Sequence, residues 1–308
     1  MAVIVTGATS FIGRAAVEEL LKQGEKVYAV ARPGSAGLSS LEALADRCSL
    51  RILECNLKDI ESLKEQNIPD ASAWLHLGWE GAGSANRKDP ALQAKNIGYA
   101  LSAVKTAGAL GCVRFLFSGS QAEYGICDSP MREDQPCHPV SEYAKDKVLV
   151  CKQAGELASR LNMDYIHARI FSVYGPGDHP WSLISTCIDT FLKGEHMEMG
   201  PCTQLWNFLY VTEAAGLLVK LLLGKAPAGV YNVAGEDTRP LRDYIEELHR
   251  LCGSRGSYHF GDRPPNAEGM ASLIPELTKL KAAVDFTQQI PFSEGIRRMV
   301  QEKKEIFK

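Results

Sequence analysis

Two side chains near the middle of the chain have the types and the spacing needed for acid–base chemistry. Tyr143 and Lys147 lie four residues apart in the segment SEYAKDK, so on a helix they share one face. A tyrosine is a poor base at neutral pH because its pKa is about 10, but a nearby ammonium group lowers that pKa. Such a pair can pass a proton to or from a substrate oxygen. The same spacing is also common by chance on solvated helices, so its meaning depends on its setting.

Hydroxyl groups stand at the end of the strand predicted just upstream of this pair. The segment RFLFSGSQAEYG brings Ser118 and Ser120 to that strand end. Parallel sheets bind ligands at the carboxyl ends of their strands. A serine there can donate a hydrogen bond to the oxygen that the tyrosine protonates.

A glycine turn follows the first predicted strand, in VIVTGATSFIG. Gly7 permits the tight turn, and Gly13 lets the next helix pack close to the strand. The helix then presents free N–H groups and a positive dipole end to a pyrophosphate. Ser10 stands where the usual fingerprint has its middle glycine, and its hydroxyl can add a donor. This context predicts a dinucleotide site; a glycine turn without a ligand is the alternative.

The second predicted strand indicates which dinucleotide is bound. Folds of this kind often end that strand with an acid that selects NAD, but VYAVARPGS has none. It ends instead on Arg32, with Ser35 close behind. An arginine there can pair with the 2′-phosphate of NADP(H). We therefore expect NADP(H), with NAD(H) as an alternative and a merely solvated Arg32 as the competing interpretation.

The elements that must position these residues alternate between strands and helices over the first 170 residues. This pattern predicts an α/β protein with a doubly wound, Rossmann-type parallel sheet covered on both faces. We expect residues 1–170 to form the dinucleotide-binding domain, with segments returning to it near 207–235. Residues 171–206 and 236–308 are expected to form a smaller C-terminal α/β domain that binds the substrate.

The bulk properties of the 308 residues exclude several classes. A net charge of −3 gives no reason to expect nucleic acid or an anionic membrane surface as a partner. The longest apolar stretch, 214–223, is about half a membrane span and contains Lys220. Nine scattered cysteines show no zinc-type spacing, so we expect no metal. With no leader visible before the first strand, we expect a cytoplasmic protein.

Together these motifs resemble the extended short-chain dehydrogenase/reductase family, in its NAD-dependent epimerase/dehydratase group that modifies nucleotide sugars. The resemblance is carried by TGATSFIG at 6–13, FSGSQAEYG at 117–125, YAKDK at 143–147, ARIFSVYGPGD at 168–178, QLWNFLYV at 204–211 and YNVAG at 231–235. It implies that Ser120 binds the reacting oxygen, that Tyr143 is the acid/base and that Lys147 is its electrostatic partner. It also implies a homodimer built on the helices 90–108 and 141–160.

The resemblance and the motifs yield two sets of predicted contacts. The cofactor set is Gly7, Thr9, Ser10, Phe11, Ile12, Gly13, Arg32, Asn56, Leu57, Leu77, Gly78, Asn96, Tyr143 and Lys147. The substrate set is Ser120, Gln121, Glu123, Ser172 and Arg263. The chain departs from the family at Ser172, usually Asn, and at Trp206 and Asn207, usually Arg and Asp. The missing Arg removes a phosphate contact, and we expect Trp206 to fill core space.

Three functions are compatible with these residues. The first is an NADP(H)-dependent reductase of a nucleotide-linked keto-sugar, specifically a 4-keto-6-deoxyhexose, favoured by Arg32. The second is a nucleotide-sugar epimerase with a retained NAD⁺, and the third is a non-catalytic dinucleotide-binding protein. Away from the motifs, we expect His76 to be a packed strand histidine, and Trp74 and Trp79 to belong to the core.

Overall fold

The computed structural model describes residues 1–45, 49–261 and 271–306. Within these ranges the strands are β1 (Ala2–Thr6), β2 (Lys26–Ala31), β3 (Leu50–Glu54), β4 (Ala71–His76), β5 (Arg114–Ser120), β6 (Asp164–Ile170), β7 (Ser172–Tyr174), β8 (His196–Met199), β9 (Leu205–Tyr210), β10 (Gly229–Val233), β11 (Thr238–Pro240) and β12 (Ser257–Phe260). The α-helices are α1 (Phe11–Lys22), α2 (Leu38–Ala45), α3 (Pro90–Ala109), α4 (Glu142–Arg160), α5 (Leu183–Lys193), α6 (Val211–Leu223), α7 (Leu241–Leu251), α8 (Thr278–Val284) and α9 (Phe292–Ile306). Two 3-10 helices cover Leu57–Glu65 and Gln121–Tyr124.

The main sheet is parallel and has the order β10-β6-β5-β4-β1-β2-β3. The direction of winding reverses between β1 and β4, which is the point where such sheets open a ligand crevice at their carboxyl ends. The predicted Rossmann-type fold is therefore confirmed. It brings the glycine turn after β1 directly beside the segment that follows β4.

Two hydrophobic layers cover the faces of this sheet, and β1 contributes alternately to both. Val3 and Val5 point to the layer formed with α1 and α6, whereas Ile4 points to the layer formed with α3 and α4. This is the side-chain alternation of a strand. All five residues of β1 are buried, as expected for a parallel strand covered on both sides. The α3/α4 layer carries the predicted catalytic pair.

The later part of the chain contributes to both the main sheet and smaller sheets. β10 joins the main sheet beside β6, and α6 packs on α1. The smaller sheets, β11-β9-β7 and β12-β8, share an apolar core with α5, α7 and α9. The division into two domains at the predicted boundaries stays a prediction. None of the described helices is long and apolar enough to cross a membrane.

Candidate active site

The predicted catalytic pair lies on the buried face of α4. Ser141 caps this helix, its Oγ accepting a hydrogen bond from the amide of Ala144 at 3.4 Å. Tyr143 and Lys147 follow in the first two turns and are both buried. Lys147 Nζ donates to the carbonyl of Ser118 at 2.5 Å and lies 5.5 Å from the centre of the Tyr143 ring. The tyrosine, the lysine and the strand end thus meet at one place, as the motifs predict.

Burial also sets the charge of the lysine. Lys147 is 2% exposed, and loss of hydration lowers its pKa to about 7. The carboxylate of Glu123 acts against this shift, whereas the guanidinium of Arg87 adds to it. The Lys147 side chain therefore changes between its neutral amine and its charged ammonium form near neutral pH. Where it is charged, its low-dielectric surroundings strengthen its attraction for a phenolate.

Ser120 ends β5 and starts the short 3-10 helix that follows. Its Oγ accepts from the amide of Ala122 at 3.2 Å, and its own amide donates to Glu123 Oε1 at 2.8 Å. The two residues form a reciprocal capping box. Gln121 is the first residue of that helix and is half-buried. The hydroxyl of Ser120 is thus held at the carboxyl end of the strand next to β4.

Glu123 does not lie where a substrate can reach it. It is fully buried, and its carboxylate binds His167 Nε2 at 2.9 Å and Arg169 Nε at 2.9 Å. Burial alone would raise the pKa of Glu123, but the two cations lower it to about 2. Burial likewise opposes the charge of His167, but Glu123 raises the pKa of that imidazole to about 9. The predicted substrate contact at Glu123 is corrected accordingly: its carboxylate has no surface to offer a ligand.

In the loop between β4 and α3, Trp79 and Arg87 line the side of the site at Tyr143, which the sequence analysis did not predict. Trp79 meets Tyr143 edge to face at 5.8 Å between ring centres, and Lys147 Nζ lies 4.0 Å from the Trp79 ring centre. Arg87 places its guanidinium 4.6 Å from the centre of the Tyr143 ring, and its carbonyl accepts from the Tyr143 amide at 3.0 Å. Trp79 packs against the apolar core as expected, and its ring also borders Tyr143.

Two buried polar side chains of α3 fix this loop. Asn96 Oδ1 accepts from the Glu80 amide at 2.7 Å, and its Nδ2 donates to the Glu80 carbonyl at 3.0 Å. Gln93 accepts from Trp79 Nε1 at 2.8 Å and donates to the carbonyl of Gly81 at 2.9 Å. Asn96, a predicted cofactor contact, therefore has its amide engaged by the loop backbone. Gln93 and Asn96 are three residues apart and so lie on one face of α3, and this spacing of polar residues could have indicated that they hold the loop.

The predicted cofactor segments meet at the crevice between β1 and β4. Gly7 has φ +72°, and a Cβ there would lie 2.7 Å from the amide nitrogen of Gly78. A Cβ on Gly78 would in turn lie 2.7 Å from Leu57 Cδ2. Asn56 precedes Leu57 and caps the 3-10 helix that follows β3. Leu77, which precedes Gly78, donates its amide to the Thr6 carbonyl at 3.0 Å. The turn can approach the backbone of the loop this closely because Gly7 has no side chain.

The helix that opens from the turn has the features of a pyrophosphate cradle. Gly13 packs so closely that a Cβ would overlap the carbonyl oxygen of Gly7. Ser10 caps α1, its Oγ accepting from the Gly13 amide at 3.1 Å. Phe11 and Ile12 begin the helix, where amides have no carbonyl partner within the helix. These residues fit a bound dinucleotide phosphate.

The turn after β2 lies against the glycine turn. Arg32 is exposed at the end of β2, and its carbonyl accepts from the Ser35 amide at 3.1 Å. The Ser35 hydroxyl oxygen is buried and has no hydrogen-bond partner within the described ranges. A Cβ on Gly37 would lie 2.9 Å from the carbonyl of Thr9. Arg32, the predicted phosphate reader, thus stands on a turn that lies beside the glycine turn.

A cavity of about 240 Å³ lies on the side of the small sheets. Ser172 and Trp206 line it together with Asp178 and Ser182. The Trp206 ring also packs on Phe208, with 6.4 Å between ring centres, so it fills core space as expected while bordering the cavity. Arg263, the remaining predicted substrate contact, lies outside the described residues. Elsewhere in the described chain, no three His, Cys, Asp or Glu side chains form a possible metal site.

Asn207 has a structural reason to replace the family's aspartate. Its Nδ2 donates to the carbonyls of Gly235 at 2.8 Å and Asp237 at 2.9 Å and to Thr238 Oγ1 at 3.0 Å. Its Oδ1 accepts from the Gly235 amide at 2.9 Å. An aspartate would turn its second oxygen toward two carbonyl acceptors. The amide therefore joins β9 to the segment after β10.

Comparisons with known proteins match this geometry. The model of the NAD dependent epimerase/dehydratase family covers residues 3–234. The chain belongs to this family. It is an NAD(P)-dependent oxidoreductase or epimerase of the extended short-chain dehydrogenase/reductase type, which confirms the class expected from the motifs.

Similar proteins with assigned activities include two enzymes of deoxysugar metabolism. The chain is 24% identical to the dTDP-6-deoxy-L-talose 4-dehydrogenase (NAD(+)) of Aggregatibacter actinomycetemcomitans, over 80% of this chain and 89% of the relative. It is 24% identical to the dTDP-4-dehydro-6-deoxy-D-allose reductase of Streptomyces bikiniensis, over 96% and 93%. Among solved structures, MoeE5 in complex with UDP-glucuronic acid and NAD superposes with a TM-score of 0.84 at 25% identity, over 99% and 100% of the two chains.

Proposed function

We propose that the protein is an NADP(H)-dependent reductase that converts a nucleotide-linked keto-sugar, a 4-keto-6-deoxyhexose, to the corresponding alcohol. The observation that carries this proposal is the pairing of a buried proton-donor site at the end of β5 with an arginine, in place of an acid, at the end of β2. The first feature supplies the chemistry, and the second favours the phosphorylated cofactor.

The chain's own residues supply the proton and hold the reacting oxygen. NADPH, when bound in the crevice, supplies the hydride to the carbonyl carbon. Tyr143 donates its phenolic proton to the carbonyl oxygen, and Ser120 donates a hydrogen bond to the same oxygen. The Lys147 ammonium stabilises the phenolate that remains until solvent returns the proton. One carbonyl, one hydride and one proton give one alcohol.

Two observations support a keto-sugar as the substrate. Gln121 and Ala122 follow Ser120, whereas the resembling dehydratases carry Asp and Glu after the matching residue. A carboxylic acid pair for water elimination is therefore missing at that point, which favours simple reduction. The Streptomyces bikiniensis relative is named as a reductase of a dTDP-linked 4-dehydro-6-deoxy sugar.

Two features at the end of β2 support NADP(H) as the cofactor. Arg32 is exposed there and can pair with a phosphate through two N–H groups. The buried Ser35 hydroxyl two residues beyond Pro33 offers a second donor on the same turn. An acid that would repel the 2′-phosphate is absent from the described turn at residues 32–37.

The proposal is tested by cofactor consumption and by the dinucleotide that the protein carries. dTDP- and UDP-linked 4-keto-6-deoxyhexoses are incubated with the purified protein and either NADPH or NADH. We expect loss of reduced nicotinamide absorbance with NADPH and much slower loss with NADH. Tightly retained NAD⁺ in the mass spectrum of the released cofactor, with sugar interconversion and no net NADPH use, would show an epimerase instead.

We also propose that the chain forms a homodimer through α3 and α4, as the motif resemblance implies. The two helices pack side by side on one face of the sheet, and Leu149 of α4 is 39% exposed. Light scattering of the eluted protein should give twice the mass of one chain. The mass of a single chain at micromolar concentration would contradict this.

A further inference from the structure

The strand end that carries Ser120 is held by a charged group at each side. Lys147 Nζ donates to the carbonyl of Ser118 at 2.5 Å, and the Ser120 amide donates to Glu123 Oε1 at 2.8 Å. Gly119 lies between them, and a Cβ there would overlap His167 Nε2 and lie 2.7 Å from Glu123 Oε1. A glycine at this position is what lets a buried ion pair touch the backbone next to the reacting serine.

The Glu123 carboxylate is fixed from every side. One oxygen accepts from the Ser120 amide and lies 2.9 Å from His167 Nε2, and the other accepts from Arg169 Nε at 2.9 Å. His167 Nδ1 lies 3.1 Å from the hydroxyl of Tyr165, so the imidazole is held as well. A carboxylate with this many partners cannot rotate freely, and it fixes the orientation of the Ser120 backbone.

The negative charge of the Glu123 carboxylate also stabilises the positive charge of Lys147. Of the described groups that act on the charge of Lys147, Arg87 on the loop after β4 repels it and Glu123 attracts it. His76, from β4, is uncharged in the neutral range because burial, with the Lys147 charge, lowers its pKa to about 3. Tyr143 shares the helix face of the lysine, and His167 and Arg169 of β6 lie on the carboxylate itself. Glu123 is the negative group in this set.

We propose that Glu123 is a positioning residue, whose buried carboxylate fixes the backbone of Ser120 and serves as the counter-charge of the Lys147 ammonium. This inference rests on the proposed function, since it assigns a part to a residue beside the same catalytic group. Glu123 touches neither substrate nor cofactor; it acts through Ser120 and Lys147.

Two substitutions separate the two tasks. Glu123→Gln keeps the shape and an oxygen for the Ser120 amide but removes the charge. Lys147 then loses its proton at lower pH, and the alkaline fall of kcat moves to lower pH. Glu123→Asp keeps the charge but withdraws the oxygen from Ser120 by one methylene. We expect its lysine titration to stay close to that of the unchanged protein, and its kcat to fall about 10- to 100-fold, the scale of an ångström misplacement.

The experiment follows Lys147 directly, without relying on turnover. Protein labelled with ¹³C at the lysine ε-carbons is titrated by NMR, and the Lys147 signal is assigned by its disappearance in Lys147→Gln. Glu133→Gln is the matched control, because Glu133 also accepts a backbone hydrogen bond, from Asn232 at 3.0 Å, but does not bind Ser120. Kinetic pH profiles are recorded in parallel for kcat and for the KM of NADPH.

In Glu123→Gln we expect a lower titration midpoint of Lys147 and an alkaline fall of kcat at lower pH. In Glu123→Asp we expect an unchanged midpoint and a kcat that is about 10- to 100-fold lower, with little change in KM. The midpoint should be unchanged in Glu133→Gln. An unchanged midpoint in Glu123→Gln would overturn the counter-charge. If that variant does not fold, the Glu123→Asp kcat decides, and a value equal to that of the unchanged protein overturns the positioning role. Absence of turnover in the unchanged protein would refute the proposed reductase while leaving the NMR comparison valid.

Discussion

The ends of β5 and β2 are built in opposite ways, although both face the same crevice. At the end of β5, Ser120 and Lys147 are buried and each is held by neighbouring backbone or charge. At the end of β2, Arg32 is exposed on a short turn. The fold therefore fixes the geometry of the proposed proton donor tightly, whereas the proposed choice of NADP(H) rests mainly on one exposed side chain, Arg32.

This contrast has an energetic basis. Charges in a buried site interact strongly because the surrounding medium screens them weakly, so a small displacement there changes reactivity. An exposed arginine is well hydrated and can be exchanged at little cost to stability. We therefore expect substitutions at the end of β5 to change the rate of the chemical step. Substitutions at the end of β2 should change which cofactor is used.

The largest effect is expected for Tyr143→Phe. Removal of the phenolic proton should lower kcat by about 10²- to 10⁴-fold, the usual contribution of general acid catalysis. The KM for NADPH and the melting temperature should change little, because the ring and its contact with Trp79 remain. Steady-state kinetics with Tyr99→Phe as a control, a half-buried tyrosine of α3, measures this. A kcat within twofold of the unchanged protein would remove Tyr143 from the mechanism.

Arg32→Ser tests the exposed site at the end of β2. Loss of a charge-assisted contact worth about 1.5–3 kcal/mol should raise the KM for NADPH by about 10- to 100-fold. The KM for NADH and the kcat at saturation should stay the same. Arg51→Ser is the control, since Arg51 is also exposed but binds the carbonyl of Asn67, in the segment that precedes β4. Equal changes for both cofactors would indicate a structural effect and not recognition of the 2′-phosphate.

The pH dependence of kcat should reflect the titration of Lys147, at the buried end of β5, and not the cofactor site at the end of β2. Burial lowers the pKa of Lys147 to about 7, so the ammonium form is complete below that value and is lost as the pH rises through it. We expect kcat to fall by up to about tenfold per unit above pH 7, with no such fall in the binding of NADPH. Replacement of Arg87 by Gln should move the fall to higher pH, because it removes a neighbouring cation. A flat profile from pH 6 to 9 would contradict the assigned charge.

The smallest effect on catalysis is expected for Asn207→Asp, which should instead reduce stability. The carboxylate would replace a donor to two carbonyl oxygens, and each unsatisfied buried group costs about 1–3 kcal/mol. Chemical denaturation should show a lower free energy of unfolding, while kcat of the folded fraction stays the same. Unchanged stability would mean that the join between β9 and the segment after β10 relaxes around the new charge.

Periodic and steric signals made much of this architecture predictable. The glycine turn could be located because Gly7 and Gly13 occupy positions where a side chain would collide with backbone. Tyr143 and Lys147 could be paired because a helix repeats every three to four residues. Both signals are local, so a single sequence contains them.

The missed parts of the site depend on contacts that no local pattern encodes. Arg87 lies in an irregular loop that is held by two side chains of the following helix: Gln93 donates to the Gly81 carbonyl, and Asn96 accepts from the Glu80 amide. The family resemblance predicts Glu123 as a substrate contact, but the orientation of its side chain is decided by His167 and Arg169, more than forty residues away. A charged side chain is buried only where partners compensate its charge, and these partners are distant in the sequence, so burial of Glu123 could not be predicted from the local pattern.

The most direct test of the proposed reaction is the transfer of deuterium from NADPH labelled at the transferred position to a nucleotide-linked 4-keto-6-deoxyhexose. In the proton NMR spectrum of the product, the signal of the proton on the former carbonyl carbon should be missing, because that carbon carries deuterium. Tyr143→Phe should lower the rate at which this product forms by about 10²- to 10⁴-fold. A product without deuterium, formed by protein that retains bound NAD⁺, would contradict the reductase and indicate internal hydride return.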